Sequence, residues 1–264
     1  MSFVFTSSLQ KCLPTLSSPD SSQNWEKIVA DFITQSQNET VTLISRFDRN
    51  IEILEHQKNQ ALLLVSILEE AGGLTVRARN LMSTPEDIQK YAEKIKEFEN
   101  WFDLTRSKFD KASADSAIDG INLMDGGRLE TVLDAGGKNK LVTEGIALTC
   151  AALGIRPPDF STLYSLQNAR IDVMNALDIV ITVKNTIAAH IINLTINRDF
   201  ALQAIELVKI SYAKLGTTNA ENEMSALLKL GDMGESMFGG EKMAETAQQD
   251  LLNSFKSSPN MEDI

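Results

Sequence analysis

The chain has 264 residues, of which 43% are hydrophobic and 23% charged, with a formal net charge of -11 and a sequence pI near 4.8. This composition excludes a chain too polar to fold and leaves enough apolar surface for a substantial core. The acidic balance argues against nucleic acid as a partner, because phosphate backbones are held by clustered Lys and Arg.

Residues 1 to about 22 are rich in Ser and broken by Pro14 and Pro19, so they read as an arm with at most one short helix. A helical pattern runs from about Asn24 to Leu81. In its second half Ile44, Phe47, Ile51, Leu54, Lys58, Ala61, Val65 and Leu68 recur at alternating three- and four-residue spacing. Seven of these eight are apolar, which is the seam of a coiled coil rather than a broad globular face. Gly72-Gly73 weakens this helix without ending it. Ser83-Thr84-Pro85-Glu86 specifies the next start, with a hydroxyl cap, Pro at the first helical position and an acid in the first turn. Ile88, Tyr91, Ile95, Phe98, Phe102, Thr105, Phe109 and Ala112 continue the same spacing, and this second helix is expected to fold back on the first as a hairpin.

Between about Asp119 and Pro158 the period changes. Glycine pairs at 126–127 and 136–137 mark turns, and Leu129–Leu133 and Lys140–Glu144 alternate like short half-buried strands. Pro157-Pro158 closes this hairpin region, and Ser161 is the expected cap of the next helix. That helix has the longest seam: Leu163, Leu166, Arg170, Val173, Leu177, Val180, Lys184, Ile187, Ile191, Leu194, Arg198, Ala201, Ile205, Val208, Tyr212 and Leu215, thirteen of sixteen apolar. Unbroken, it would run roughly 80 Å, so the expected architecture is mainly α. It is an elongated rod of long antiparallel coiled-coil-like helices from both chain halves, with a small β-hairpin region in the middle. Thr218-Asn219-Ala220-Glu221 is a capping-box pattern. After it come Gly231, Gly234 and Gly239-Gly240, a last amphipathic piece around Leu251, Leu252 and Phe255, and a polar tail.

Nothing in the chain assembles a reaction centre. His56 and His190 lack metal-ligand spacing, Cys12 and Cys150 form no CxxC pattern, and the glycine pairs are not a phosphate cradle. The expectation is a non-enzyme with no catalytic, cofactor or metal site. No apolar run approaches the roughly 18 residues needed to span a bilayer, and Met1–Thr6 lacks the basic and apolar regions of a cleaved secretory signal. Lys58, Arg170, Lys184 and Arg198 interrupt the seams, either as register-fixing residues or as exposed positions whose stems cover apolar surface.

Three segments together resemble the bacterial flagellin family, and within it the short flagellins of alphaproteobacterial type. Asp119-Gly120-Ile121-Asn122-Leu123-Met124-Asp125-Gly126 is similar to the family's (N/D)-G-I-N-L-L-x-G. Leu141–Thr149 followed by Ala152-Leu153-Gly154-Ile155 resembles L-T-V-x-G-V-D-L-T-A-A-x-L-G-I. Ile196–Phe200, with Asp199 and Phe200, precedes Asn219, Glu223 and Leu227–Leu230 at the spacing of (T/R)-x-D-F-T and the asparagine- and leucine-rich segment after it. The resemblance covers residues 40 to 230. It implies a filament subunit with a rod of paired helices, exported without a cleaved signal through the flagellar type III apparatus and resident in the extracellular flagellum. Its implied partners are further copies in a helical filament, other flagellins, an export chaperone and the export apparatus, with no nucleic acid and no membrane insertion. On this pattern residues 1–40 are an arm and inner-tube-like segment, 41–117 the N-terminal helical hairpin and 118–158 the β-hairpin region. The long C-terminal rod helix is 159–216, and 217–264 is a C-terminal inner-tube-like segment and tail. The ends depart from the family pattern: Pro14, Pro19 and Cys12 stand where the family has an unbroken cysteine-free helix, and Gly234 and Gly239-Gly240 interrupt the last helix. These departures leave open a non-polymerising relative that binds a filament end, the hook-filament junction or an export partner.

Overall fold

The computed structural model describes residues 22–215, with side chains described at 31 and 34–210. Among them are four helices and two strands: α1 Ser22–Asn80, α2 Pro85–Lys90, α3 Ala92–Ala114, β1 Arg128–Val132, β2 Lys140–Glu144 and α4 Leu163–Leu215. The fold is therefore mainly helical, with long helices and one two-stranded antiparallel sheet. The chain divides into two compact units. One comprises Ile44–Thr131 and Lys140–Phe200, the other Met1–Leu43, Val132–Asn139 and Ala201–Ile264.

In the first unit α1 runs through Gly72-Gly73 without a break. Lys108 lies 3.9 Å from Glu70, and the Gln57 side chain reaches the Ser116 carbonyl at 2.8 Å. Lower numbers on α1 thus meet higher numbers on α3, so the two form the antiparallel hairpin expected. The same reasoning orients α4 against α1. Arg198 approaches Asp48 at 3.4 Å, while a methyl group on Gly72 would stand 3.8 Å from Val173 Cγ1.

The α2 start follows the local chemistry: Thr84 Oγ1 accepts the Asp87 N–H at 3.1 Å, and Pro85 occupies the first turn, where its missing donor costs nothing. The helix does not continue unbroken into α3. Tyr91 leaves helical geometry at φ -106 and ψ 16 and separates the two. At α4 the cap is Thr162 rather than Ser161. Thr162 Oγ1 accepts the Ser165 N–H at 3.1 Å, because Asp159 already holds the Ser161 N–H at 2.9 Å and turns the chain one residue later.

The buried positions refine the seams. In α1 Phe47, Leu54, Ala61 and Leu68 are buried, and Ile51 joins them, but Ile44, Lys58 and Val65 are half-buried. From residue 57 on, the intervening core positions are Gln57, Leu64, Ala71 and Ala78, one residue earlier than the apolar spacing indicates. In α4 every seventh residue from Leu166 is buried: Val173, Val180, Ile187, Leu194, Ala201 and Val208. Leu177, Ile191 and Ile205 are half-buried, Leu163 and Arg170 are exposed, and the partners of the buried series are Ala169, Ala176 and Asn197. The displaced series is the one that carries Lys58, Arg170, Lys184 and Arg198, so these side chains stand beside the core rather than in it. The side chain of Leu215 lies outside the described residues, as do Asn219, Glu223, Cys12 and the two ends of the chain.

Averaged composition along α4 reads differently from its longest apolar run. Within Leu163–Ile210 an 18-residue window has mean hydropathy 1.5, long and apolar enough to cross a membrane by length and composition alone. Lys184, Asn185, His190 and Asn193 break every long apolar run, but the density of Ile, Val and Leu between them keeps the average high.

Candidate functional site

The segment after α3 is held by a dense set of hydrogen bonds. Asp119 and Gly120 both take left-handed backbone conformations, φ 53 and φ 77. Ile118 and Ile121 exchange both backbone hydrogen bonds around them, at 3.0 and 2.9 Å. Two central residues of positive φ between a bonded pair define a type I′ turn, which explains Asp-Gly at this point of the motif. The Asp119 carboxylate pairs with Arg49 on α1.

Asn122 then closes the end of α3. Its amide donates to the Ser113 carbonyl at 2.8 Å and the Ala114 carbonyl at 3.2 Å, and its side-chain oxygen accepts the Met124 N–H at 2.9 Å. The last helical carbonyls otherwise lack donors, so an Asn here satisfies them. Ser113 Oγ donates to the Met124 carbonyl at 3.0 Å. Leu123 and Met124 are buried between these polar anchors.

Gln57, fully buried on α1, ties that turn to the long helix. Its amide nitrogen donates to the Ser116 carbonyl at 2.8 Å and the Ile121 carbonyl at 3.2 Å, and its oxygen accepts the Leu123 N–H at 3.1 Å. Gln57 sits between His56 and Lys58 with no apolar signal of its own, so no sequence pattern marks it.

Two glycines let the two motif segments meet. Gly145 donates to the Gly127 carbonyl at 2.7 Å, Ile146 to Leu123 at 3.0 Å and Leu148 to Met124 at 2.7 Å. A side chain on Gly127 would overlap the Asn122 carbonyl, and one on Gly145 would overlap the backbone of Leu123. Both are in backbone-to-backbone contact that admits only hydrogen.

The remainder of the second segment seats on α3. Asp110 accepts the Cys150 N–H at 2.6 Å, the Cys150 thiol approaches the Arg106 carbonyl at 3.5 Å, and Arg106 donates to the Ile155 carbonyl at 3.2 Å. Gly154, at φ 71, ends this turn. Burial first, and then the neighbouring Asp110 carboxylate, push the Cys150 thiol up to about 12. It is a protonated, buried group rather than a nucleophile. Thr143 on β2 is hydrogen-bonded to His190 on α4 at 2.7 Å, and burial lowers the His190 pKa. Among the described residues no group of three or more His, Cys, Asp or Glu side chains is placed to hold a metal ion.

The third motif lies apart from this junction. Arg198 donates to the exposed Asp199 at 2.8 Å and leans toward Asp48 of α1, and Phe200 is half-buried. The motif residues Asp119, Gly120, Ile121, Asn122 and Leu123 are thus brought together in one place, and Asp199 and Phe200 are not among them.

No protein-family model and no curated protein matches the chain. Among solved structures, the crystal structure of Bacillus cereus flagellin is similar at a TM-score of 0.46 and 12% identity, over 62% of this chain and 87% of that one.

Proposed function

We propose that the chain is a flagellin-type structural subunit that is exported and self-assembles into an extracellular helical polymer for motility. The observation that carries the reading is the junction. Two of the three flagellin-like segments, separated by fourteen residues, pair through Gly127, which directly follows the first, and Gly145, where no other residue fits. A motif whose glycines, Asn122 and Asp119-Gly120 each meet a geometric demand is a construction element, and it joins helices rather than presenting a reactive group. The polymer's partners on this reading are further copies, other flagellins, an export chaperone and the flagellar export apparatus. The alternative is a related protein that binds a filament end or export partner without polymerising, which the proline- and glycine-interrupted ends favour.

The test is localisation in the native cell. Antibody against the chain should find it in the sheared extracellular filament fraction, assembled end over end. Its confinement to the cell body, or to a single band at the filament base, contradicts the polymer reading, and the basal band supports the alternative.

A further inference from the structure

Helix α4 is apolar on two opposite faces. Leu166, Val173, Val180, Ile187 and Leu194 are buried on one. At about 100° per residue, the exposed Leu163, Tyr164, Ile171, Met174, Ile192 and Ile196 fall within an arc of about 100° on the other side. Tyr164 is 78% exposed, Ile192 60% and Ile196 61%. From Leu163 to Ile196 that arc contains one charged residue, Asp178. The solvent side of α1 differs in that its exposed Val41, Leu62, Leu63 and Val76 are interspersed with the exposed charges Arg46, Asp48, Glu52, Glu55, Glu69 and Arg77. A helix facing water needs no such stripe.

We infer that the outer stripe of α4, centred on Ile171–Met174 and Ile192–Ile196, is the surface on which a second copy of this chain docks. This rests on the self-assembly proposed above and adds which surface carries it. Area supports the occupant: in two stretches about 27 Å apart along the helix, Leu163–Met174 and Ile192–Ile196, the six side chains present roughly 600 Å² of apolar surface in total, near the about 800 Å² per partner of a standard interface. Charge supports it too. Copies of a chain of net charge -11 repel unless they meet away from their carboxylates, and this arc is nearly free of them. A lipid surface is the poorer fit, because membrane-lying helices flank the apolar face with Lys and Arg, whereas here cations stand on one flank alone, Arg170 and Lys184, and the other flank carries Asn175 and Asn193. A polymer requires the stripe to meet a different surface of the neighbour, since stripe on stripe closes as a dimer.

The test compares the full-length chain with Ile192→Lys/Ile196→Lys and with a control, Asn80→Lys/Gln89→Lys, which adds the same charge at exposed positions elsewhere. The stripe variant should keep its helical circular dichroism and thermal midpoint while its critical concentration for polymer growth rises at least tenfold, and the control should grow like the parent. Ile192→Cys in a Cys12→Ser background should label with a maleimide when dilute and be protected in polymer. Stripe variants that polymerise normally while the parent does so overturn this inference and leave the subunit reading standing, whereas a parent that never polymerises overturns that reading instead. Protection of position 192 in dilute monomer places a segment of the same chain on the stripe. Flotation of the parent, but not the stripe variant, with mixed phosphatidylcholine and phosphatidylglycerol vesicles places lipid there, and either result also overturns the inference.

Discussion

Gln57 accepts the Leu123 N–H at 3.1 Å from across the hairpin, with its whole side chain buried. One amide of the long first helix thereby completes the backbone hydrogen bonding of the turn at residues 116–123. Replacing it with Leu leaves the buried Leu123 N–H and the Ser116 carbonyl without partners, while the Ile121 carbonyl keeps the Ile118 N–H. Such groups cost about 1–3 kcal/mol each when left unpaired, so Gln57→Leu should lower unfolding free energy by about 2–4 kcal/mol in urea titration. A loss under 1 kcal/mol would mean that the turn holds without the amide.

The glycines divide into two classes with opposite predictions. Gly127→Ala and Gly145→Ala drive a methyl into backbone and should destabilise by more than about 2 kcal/mol or prevent folding. Gly73 is interior to α1 with open space around its missing side chain, so Gly73→Ala should raise stability by about 0.5–1 kcal/mol. Thermal unfolding of the three variants reads both signs.

Adjacent residues test the seam. Leu64 is fully buried and Val65 half-buried, so Leu64→Ala should cost about 3–4 kcal/mol and Val65→Ala under about 1.5 kcal/mol. Equal losses would put both residues in the core.

That seam is where sequence and structure part. In each long helix one of the two heptad series, Phe47–Leu68 and Leu166–Val208, was legible because every member is apolar. The intervening position can lie three or four residues on. In the sequence the four-residue choice finds Leu177, Ile191 and Val65 and tolerates Lys58, Arg170, Lys184 and Arg198. The fold takes the three-residue choice, at Gln57, Ala169, Ala176 and Asn197, whose polarity or small size gives no periodic signal. The four interrupting cations were the available clue. The Asp-Gly turn, the Thr84-Pro85 cap and the strand pair were legible because each rests on local backbone chemistry. The pairing of Gly127 with Gly145 was not, since close backbone approach between distant segments leaves no mark beyond glycine itself.

His190 supplies a pH dependence. Burial lowers its pKa below the ordinary 6.5, so the unfolded chain binds the proton more readily and the folded form is favoured by its neutral state. That contribution is fully present above the unfolded value and is lost as pH falls toward the folded one. Urea stability should therefore decline from pH 7.5 to 5.5, and His190→Gln should flatten that decline. A parallel decline in both proteins would assign it to other groups.

Cys150 should be silent in the native state. With its thiol buried and pushed up to about 12, a Cys12→Ser protein should react with a disulfide reagent at pH 8 at least a hundredfold more slowly folded than in denaturant. Rapid labelling of the native protein would show that the turn at residues 149–154 opens.

A flagellin-type subunit, as proposed, builds a polymer of itself. A dilution series of the purified full-length protein, seeded with its own sheared assemblies and followed by sedimentation and negative-stain microscopy, tests it most directly. A self-assembling subunit shows a critical concentration above which all added protein enters long tubes. Monomers at every concentration, with the helices intact by circular dichroism, would contradict it.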